Sequence, residues 1–263
     1  MTRPAIPLQA EALKDYDCTD VSPFAPSAAI YFMNGYSDAT VRVYTTDEKM
    51  TFRWWDQATS IAASAPLTRG VHNMEEGAFL VAPRPLHSKA AFPSGMPGPY
   101  HKARTLQLLQ VISMNMRSKD GKSSLLIGFP YANKYPSVFF GGGFADDATD
   151  ASSYGLVASL TDFERENGYP ARSCFAVYHI LETEMGVFFN KKPTVMELQP
   201  SENGKLALTL PPIPFKYELI NGPIPLYDIR NPEGAPVAEV VAAHHHDNGA
   251  SRAPEKSAWP WNQ

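Results

Sequence analysis

The sequence predicts an α+β, β-rich protein: mixed or antiparallel sheet with two to three short helices and long proline-rich loops. Three observations carry that reading. Segments such as ATVRVYT (39–45) alternate apolar and polar residues with the two-residue period of a half-buried strand. The stretch 123–144, SSLLIGFPYANKYPSVFFGGGF, joins two strongly apolar runs through a Pro-bounded connection and reads as the centre of the core. Finally, the segment 83–99 carries prolines at 83, 85, 93, 97 and 99, which forbids regular structure there.

The bulk numbers bound the rest. A chain of 263 residues with 44% hydrophobic and 19% charged residues buries a substantial core. The composition divides it into an N-terminal arm (1–26), one β-rich globular domain (27–243) and a C-terminal tail (244–263). The net charge of -4, with scattered lysines and arginines, speaks against a nucleic-acid partner. No 18-residue apolar run and no charged-then-apolar opening segment is present, so no membrane partner and a cytoplasmic location are expected. Cys18 and Cys174 read as two buried thiols, since chains that rely on disulfides are usually small and cysteine-dense.

Taken in order, 27–33 is a strand, Asn34-Gly35 a turn and 39–45 a second strand. After a turn at Asp47-Glu48, 50–55 continues as a strand or begins a helix, and the spacing of Trp54, Ala58, Ile61 and Ala62 favours a short helix to about Ala65, stopped by Pro66. A short strand at 78–82 leads into the 83–99 loop, the first place to look for a lid or a site rim. The longest strand, 105–116, returns through Ser118-Lys119-Asp120-Gly121 to 122–129, since Asp-Gly suits a tight hairpin. The near-continuous apolar character of this meander implies cover on both faces. A third strand is expected at 136–141, ending in the glycine run 141–143.

Ser152 or Ser153 then caps a helix whose face is Leu156, Val157, Leu160 and Phe163. Strands follow at 174–181 and 187–189, a hairpin at 194–198 and 205–210, and a last strand at 215–220. The proline-rich NGPIPLYD suits a sheet edge. A short helix is expected at 235–243, with Val237, Val240 and Val241 on one side. The tail beyond it is loop-like, with Trp259 and Trp261 expected to dock.

Candidate chemistry rests on histidines. His179 sits in an apolar strand, where a hydrogen-bonded core imidazole is the commoner role and a general base the functional one. Glu182 is its candidate orienting carboxylate. The two face opposite sides of a strand, so pairing requires the strand to end at Leu181. His101, beside Tyr100 and Arg104 at the mouth of the longest strand, is the second candidate proton carrier. Tyr100, Arg104 and Arg117 are the candidate substrate contacts. The run His244-His245-His246 projects imidazoles in divergent directions, so a single metal site is disfavoured and metal content stays unassigned.

Cofactor patterns fail. The glycine run 141–143 lacks the spacing of a dinucleotide fingerprint and precedes the acidic Asp146, Asp147 and Asp150. Gly121-Lys122-Ser123 lacks the upstream glycine of a phosphate loop. No nucleotide or other cofactor is therefore expected. The leading expectation is a small-molecule enzyme using acid–base chemistry on a partly apolar, anionic substrate. A capsid-like assembly subunit and a non-catalytic small-molecule binding protein are the alternatives. A homo-oligomer is expected in each.

Overall fold

A computed structural model describes residues 29–63, 67–68, 105–131, 133–140, 153–159, 171–199 and 215–252. Every strand pairing among them is antiparallel. Four strands are long and lie side by side in the order β13, β1, β2, β4. They are β1 (Ala29–Val43), β2 (Lys49–Ala63), β4 (Thr105–Arg117) and β13 (Ala238–Arg252). A two-residue strand, β3 (Leu67–Thr68), pairs with the start of β4.

The other strands are short and form two tiers. One tier is β5 (Ser124–Ile127), β8 (His179–Thr183), β9 (Gly186–Asn190) and β12 (Ile224–Asp228). It bridges the C-terminal part of β4 to the start of β13. The second is β6 (Ser153–Ser159), β7 (Ala171–Val177), β10 (Thr194–Leu198) and β11 (Phe215–Leu219). It bridges the start of β4 to the latter half of β13. Each tier closes a ring of eight with the four long strands. The sheet is thus one antiparallel barrel, its staves unbroken on one side and split in two on the other. This is the β-rich, antiparallel architecture with minor helix that the sequence predicts.

At the split the ladder is interrupted, and side chains replace its hydrogen bonds. Ser153 Oγ accepts the Tyr178 N–H at 2.9 Å between β7 and β8. Asn190, fully buried, accepts the His179 N–H at 2.7 Å and donates to the carbonyls of Val177 (2.9 Å) and Lys192 (2.8 Å). Asn221 accepts the Val195 N–H at 2.8 Å and donates to the Pro193 carbonyl at 2.9 Å. Buried backbone groups must be paired, and at a stave break only a short polar side chain reaches them.

The long strands are bent by single-residue bulges, and these explain three differences from expectation. Opposite β4, Gln57 is the extra residue of β2, so Trp54 and Ile61, seven apart, both face inward. That seven-residue spacing imitates two helical turns, and the expected helix after Trp54 is strand. Val241 is likewise extra in β13 opposite β1, which places Val240 and Ala243 on one wall. The helix expected at 235–243 and the loop-like stretch after it are therefore strand as far as Arg252. The Asn34-Gly35 turn is a register irregularity inside an unbroken β1.

The expected helix from Ser153 is β6, held between β4 and β7. The expected third strand at 136–141 is instead a short helix, α1 (Pro136–Phe140), with proline at its first position. Together with a 3-10 turn at Phe129–Tyr131, it covers the outside of the first tier. There Val138 packs with Leu126, Ile180 and Phe189. The β4–β5 hairpin forms as predicted, with Gly121 at φ 72°, and β5 is covered on both faces. Its next neighbour in the sheet is β8.

NGPIPLYD is not at an edge. It supplies β12, between β9 and β13. Pro225 pairs with Glu239 before the β9 ladder begins at Leu226, so its missing N–H disrupts no ladder bond to β9. The arm 1–26, the 78–82 strand, the 83–99 loop, the glycine run 141–143, the 205–210 strand, Trp259 and Trp261 lie outside the described residues. Among the described residues no helix is long and apolar enough to cross a membrane.

Candidate functional site

The barrel encloses a cavity of about 100 Å³. Strand alternation, corrected by the bulges, decides what faces it. From the long strands come Ala39, Val41, Trp54, Val111 and Met114; the tiers add Leu181, Phe175 and Met196. Most of the wall is apolar, and none of the described residues lining it is a lysine or arginine.

Polar residues interrupt that wall: Ser37, Asp38, His179, Thr194, Tyr217, His244 and His245. Ser37, on β1, sits opposite His245 of β13, and its Oγ lies 2.8 Å from His245 Nδ1. The same hydroxyl donates to Met116 Sδ at 3.3 Å. A hydroxyl carries one proton, so if it goes to sulfur, Nδ1 is the donor to Ser37. Tyr217 contributes an apolar ring and sends its hydroxyl to Ser173 Oγ at 3.0 Å. His179, 6% exposed, lies near the level of the stave break. Its Nδ1 is 3.4 Å from Thr194 Oγ1. Burial pushes its imidazole down to about 4, so it is neutral at physiological pH.

Phe175 lines the lumen and meets Tyr217 edge-on, with centroids 5.5 Å apart. It has room because Gly155 stands opposite it. A β-carbon at 155 would lie 2.5 Å from the Phe175 ring.

The candidates drawn from the sequence divide between the two sides of the wall. His179 faces the lumen. Glu182 lies on the outside, where it takes hydrogen bonds from Lys134 Nζ (2.5 Å) and the Tyr135 hydroxyl. Burial, and then the Glu182 carboxylate, raise Tyr135 to about 12. β8 continues to Thr183, so His179 and Glu182 stay on opposite faces. Arg117 is exposed, with its guanidinium over the hairpin glycine, donating to the Gly121 carbonyl at 3.4 Å. Tyr100, His101 and Arg104 lie outside the described residues.

The three consecutive histidines also part company. His245 faces the lumen beside Ser37, and His244 borders the same cavity. His246 stacks on Tyr36 with centroids 4.3 Å apart, and His244 Nδ1 is 3.6 Å from Glu218. Tyr36 also receives Arg53, which grips Asp38 through Nε at 2.5 Å and Nη2 at 2.6 Å. Among the described residues no group of three or more His, Cys, Asp or Glu is placed to share a metal ion. Cys174 is a fully buried thiol on β7.

Sequence reasoning missed Ser37, Thr194 and the inward role of His245. Only the strand character of 238–252 would have exposed the last, because alternation then turns the middle histidine away from its neighbours.

No family model and no curated protein matches the sequence. Among solved structures, the chain is similar to DynF from the dynemicin biosynthesis pathway of Micromonospora chersina. The TM-score is 0.54 at 15% identity, covering 87% of this chain and 83% of that one. At that identity the likeness is one of fold.

Proposed function

We propose that this protein binds a small, mostly apolar molecule inside the barrel. The observation that carries this is a closed ring of strands whose enclosed wall is apolar, interrupted by a few hydrogen-bonded polar side chains. Small-molecule sites have that composition: an apolar body is held by dispersion and desolvation, and a few polar groups fix its orientation. A cavity of roughly 150 Å³ holds a benzene ring; the space here, about 100 Å³, takes a short alkyl segment as it stands and one ring where the flexible Met114 and Met196 side chains on its wall shift. The likeness in fold to a protein of a biosynthesis pathway supports a small-molecule role.

Acid–base catalysis has less support. A general base works best with a pKa near the operating pH, whereas His179 is held near 4 with its proposed carboxylate partner on the far side of the wall. The test is titration of the full chain with toluene, followed by amide chemical shifts. Saturable shifts at Val41, Val111 and Leu181 are expected, and Ala39→Phe, which fills the lumen, abolishes them. Shifts confined to surface residues, or persisting in Ala39→Phe, sink the reading.

A further inference from the structure

We infer that the lumen selects a neutral, hydroxyl-bearing apolar molecule (a phenol or alcohol) over a carboxylate, through a hydrogen bond at His179 Nε2. The inference rests on the lumen-binding reading above. Its first support is which ring nitrogen is engaged. Asn190 Nδ2 spends its two N–H groups on the Val177 and Lys192 carbonyls. The Thr194 hydroxyl, 3.4 Å from His179 Nδ1, is therefore the partner of that nitrogen, as donor or acceptor. Nε2 is the nitrogen left to a ligand, and a hydroxyl, which can donate or accept, matches it in either tautomer.

His179 is 6% exposed and lines the cavity, and its bond to Thr194 is made at Nδ1. A ligand hydroxyl in the lumen would add a second hydrogen bond, at Nε2. Ser37 and His245 are less suited to this role, because the hydroxyl and Nδ1 already engage each other and Met116.

The second support is charge. None of the described residues lining the cavity is a lysine or arginine, and the acidic residue among them, Asp38, is held by Arg53. A carboxylate ligand would be stripped of water with no cation to receive it, at much greater cost than a hydroxyl or carbonyl. The sequence-based expectation of an anionic substrate is replaced by a neutral one.

Three probes that share a tolyl ring test this on the full chain at pH 7.5: toluene, p-cresol and p-toluate. Toluene and p-cresol are uncharged there, and p-toluate is ionised. One added buried hydrogen bond predicts p-cresol binding about 3- to 10-fold tighter than toluene. p-Toluate should bind more weakly than either. In His179→Leu the p-cresol advantage disappears while toluene affinity stays within about twofold; His179→Gln, which restores an amide donor, recovers part of it. If toluene fails to bind, the lumen reading falls and this inference with it. If toluene binds but p-toluate matches p-cresol, or the p-cresol advantage survives in His179→Leu, only this inference is overturned. The three-probe ranking on the unaltered chain decides the matter even where a His179 variant does not fold.

Discussion

The side-chain carbonyl of Asn190 accepts the main-chain N–H of His179 at 2.7 Å, tying the end of β9 to the start of β8 where the stave is broken. The same amide donates to Val177 and Lys192 carbonyls, so one fully buried side chain substitutes for a missing piece of ladder. Asn190→Ala leaves these backbone groups unpaired in a site water does not reach. The expected loss is about 3 kcal/mol or more of unfolding free energy. Chemical denaturation measures it, and Asn190→Asp, which keeps the acceptor but not the donors, should also be destabilised. A loss under about 0.5 kcal/mol for Asn190→Ala would mean that the break needs no side-chain partner.

A second prediction concerns Gly155. Alanine usually strengthens a strand relative to glycine, because it reduces the freedom of the unfolded chain. Here its β-carbon would sit 2.5 Å from the Phe175 ring and 2.9 Å from the Cys174 carbonyl. Overpacking of this kind costs about 1–3 kcal/mol and outweighs the entropy gain. Gly155→Ala should therefore lower the melting temperature. Phe175→Leu in the same chain should recover part of the loss, and strict additivity of the two changes would refute the proposed contact.

These two positions also mark where the sequence is legible and where it is not. The β4–β5 hairpin is readable because its signals are local: continuous apolar character on both sides of Asp120-Gly121. β2, β6 and β13 are misread because their inward sets are decided by bulges and by neighbours distant in sequence. Trp54 and Ile61 share a wall only because Gln57 is extra, and nothing at Gln57 announces that. α1 is misread for the opposite reason. Val138, Phe139 and Phe140 favour strand by type, yet Val138 is needed as a lid over Leu126 and Ile180. Of the candidate site, His179 is recoverable from its apolar strand. Ser37 and Thr194 are not, since single hydroxyls in strands carry no distinguishing pattern.

The third prediction follows from the buried state of His179. Its pKa falls from the ordinary 6.5 to about 4 on folding, so between those pH values the unfolded chain binds more protons than the native one. Stability therefore declines as pH falls from about 6.5 to about 4, and levels off below that for this residue. The contribution is about 3 kcal/mol across the window. His179→Leu should flatten the corresponding part of the profile. Asp38, Tyr217, His244 and His245, the other titratable groups among the described lining residues, are common to both proteins, so the difference isolates His179. Identical pH profiles between pH 4 and 7 would show that the imidazole is not held neutral by burial.

The last prediction separates the inside of the wall from the outside. Glu182 binds Lys134 and Tyr135 beneath α1 and shares no face with His179. Glu182→Gln removes a charge that raises the Tyr135 phenol, so the Tyr135 titration should move down from about 12, with burial still holding it above 10. The ion pair is half-exposed, with Lys134 at 58%, so its loss should cost about 1 kcal/mol at most. Toluene and p-cresol affinities should stay within about twofold, because neither probe reaches the outer face. An ultraviolet titration of Tyr135 together with the probe titrations reads both effects. A Glu182→Gln protein with normal stability but lost p-cresol binding would couple the carboxylate to the lumen and restore a joint role with His179.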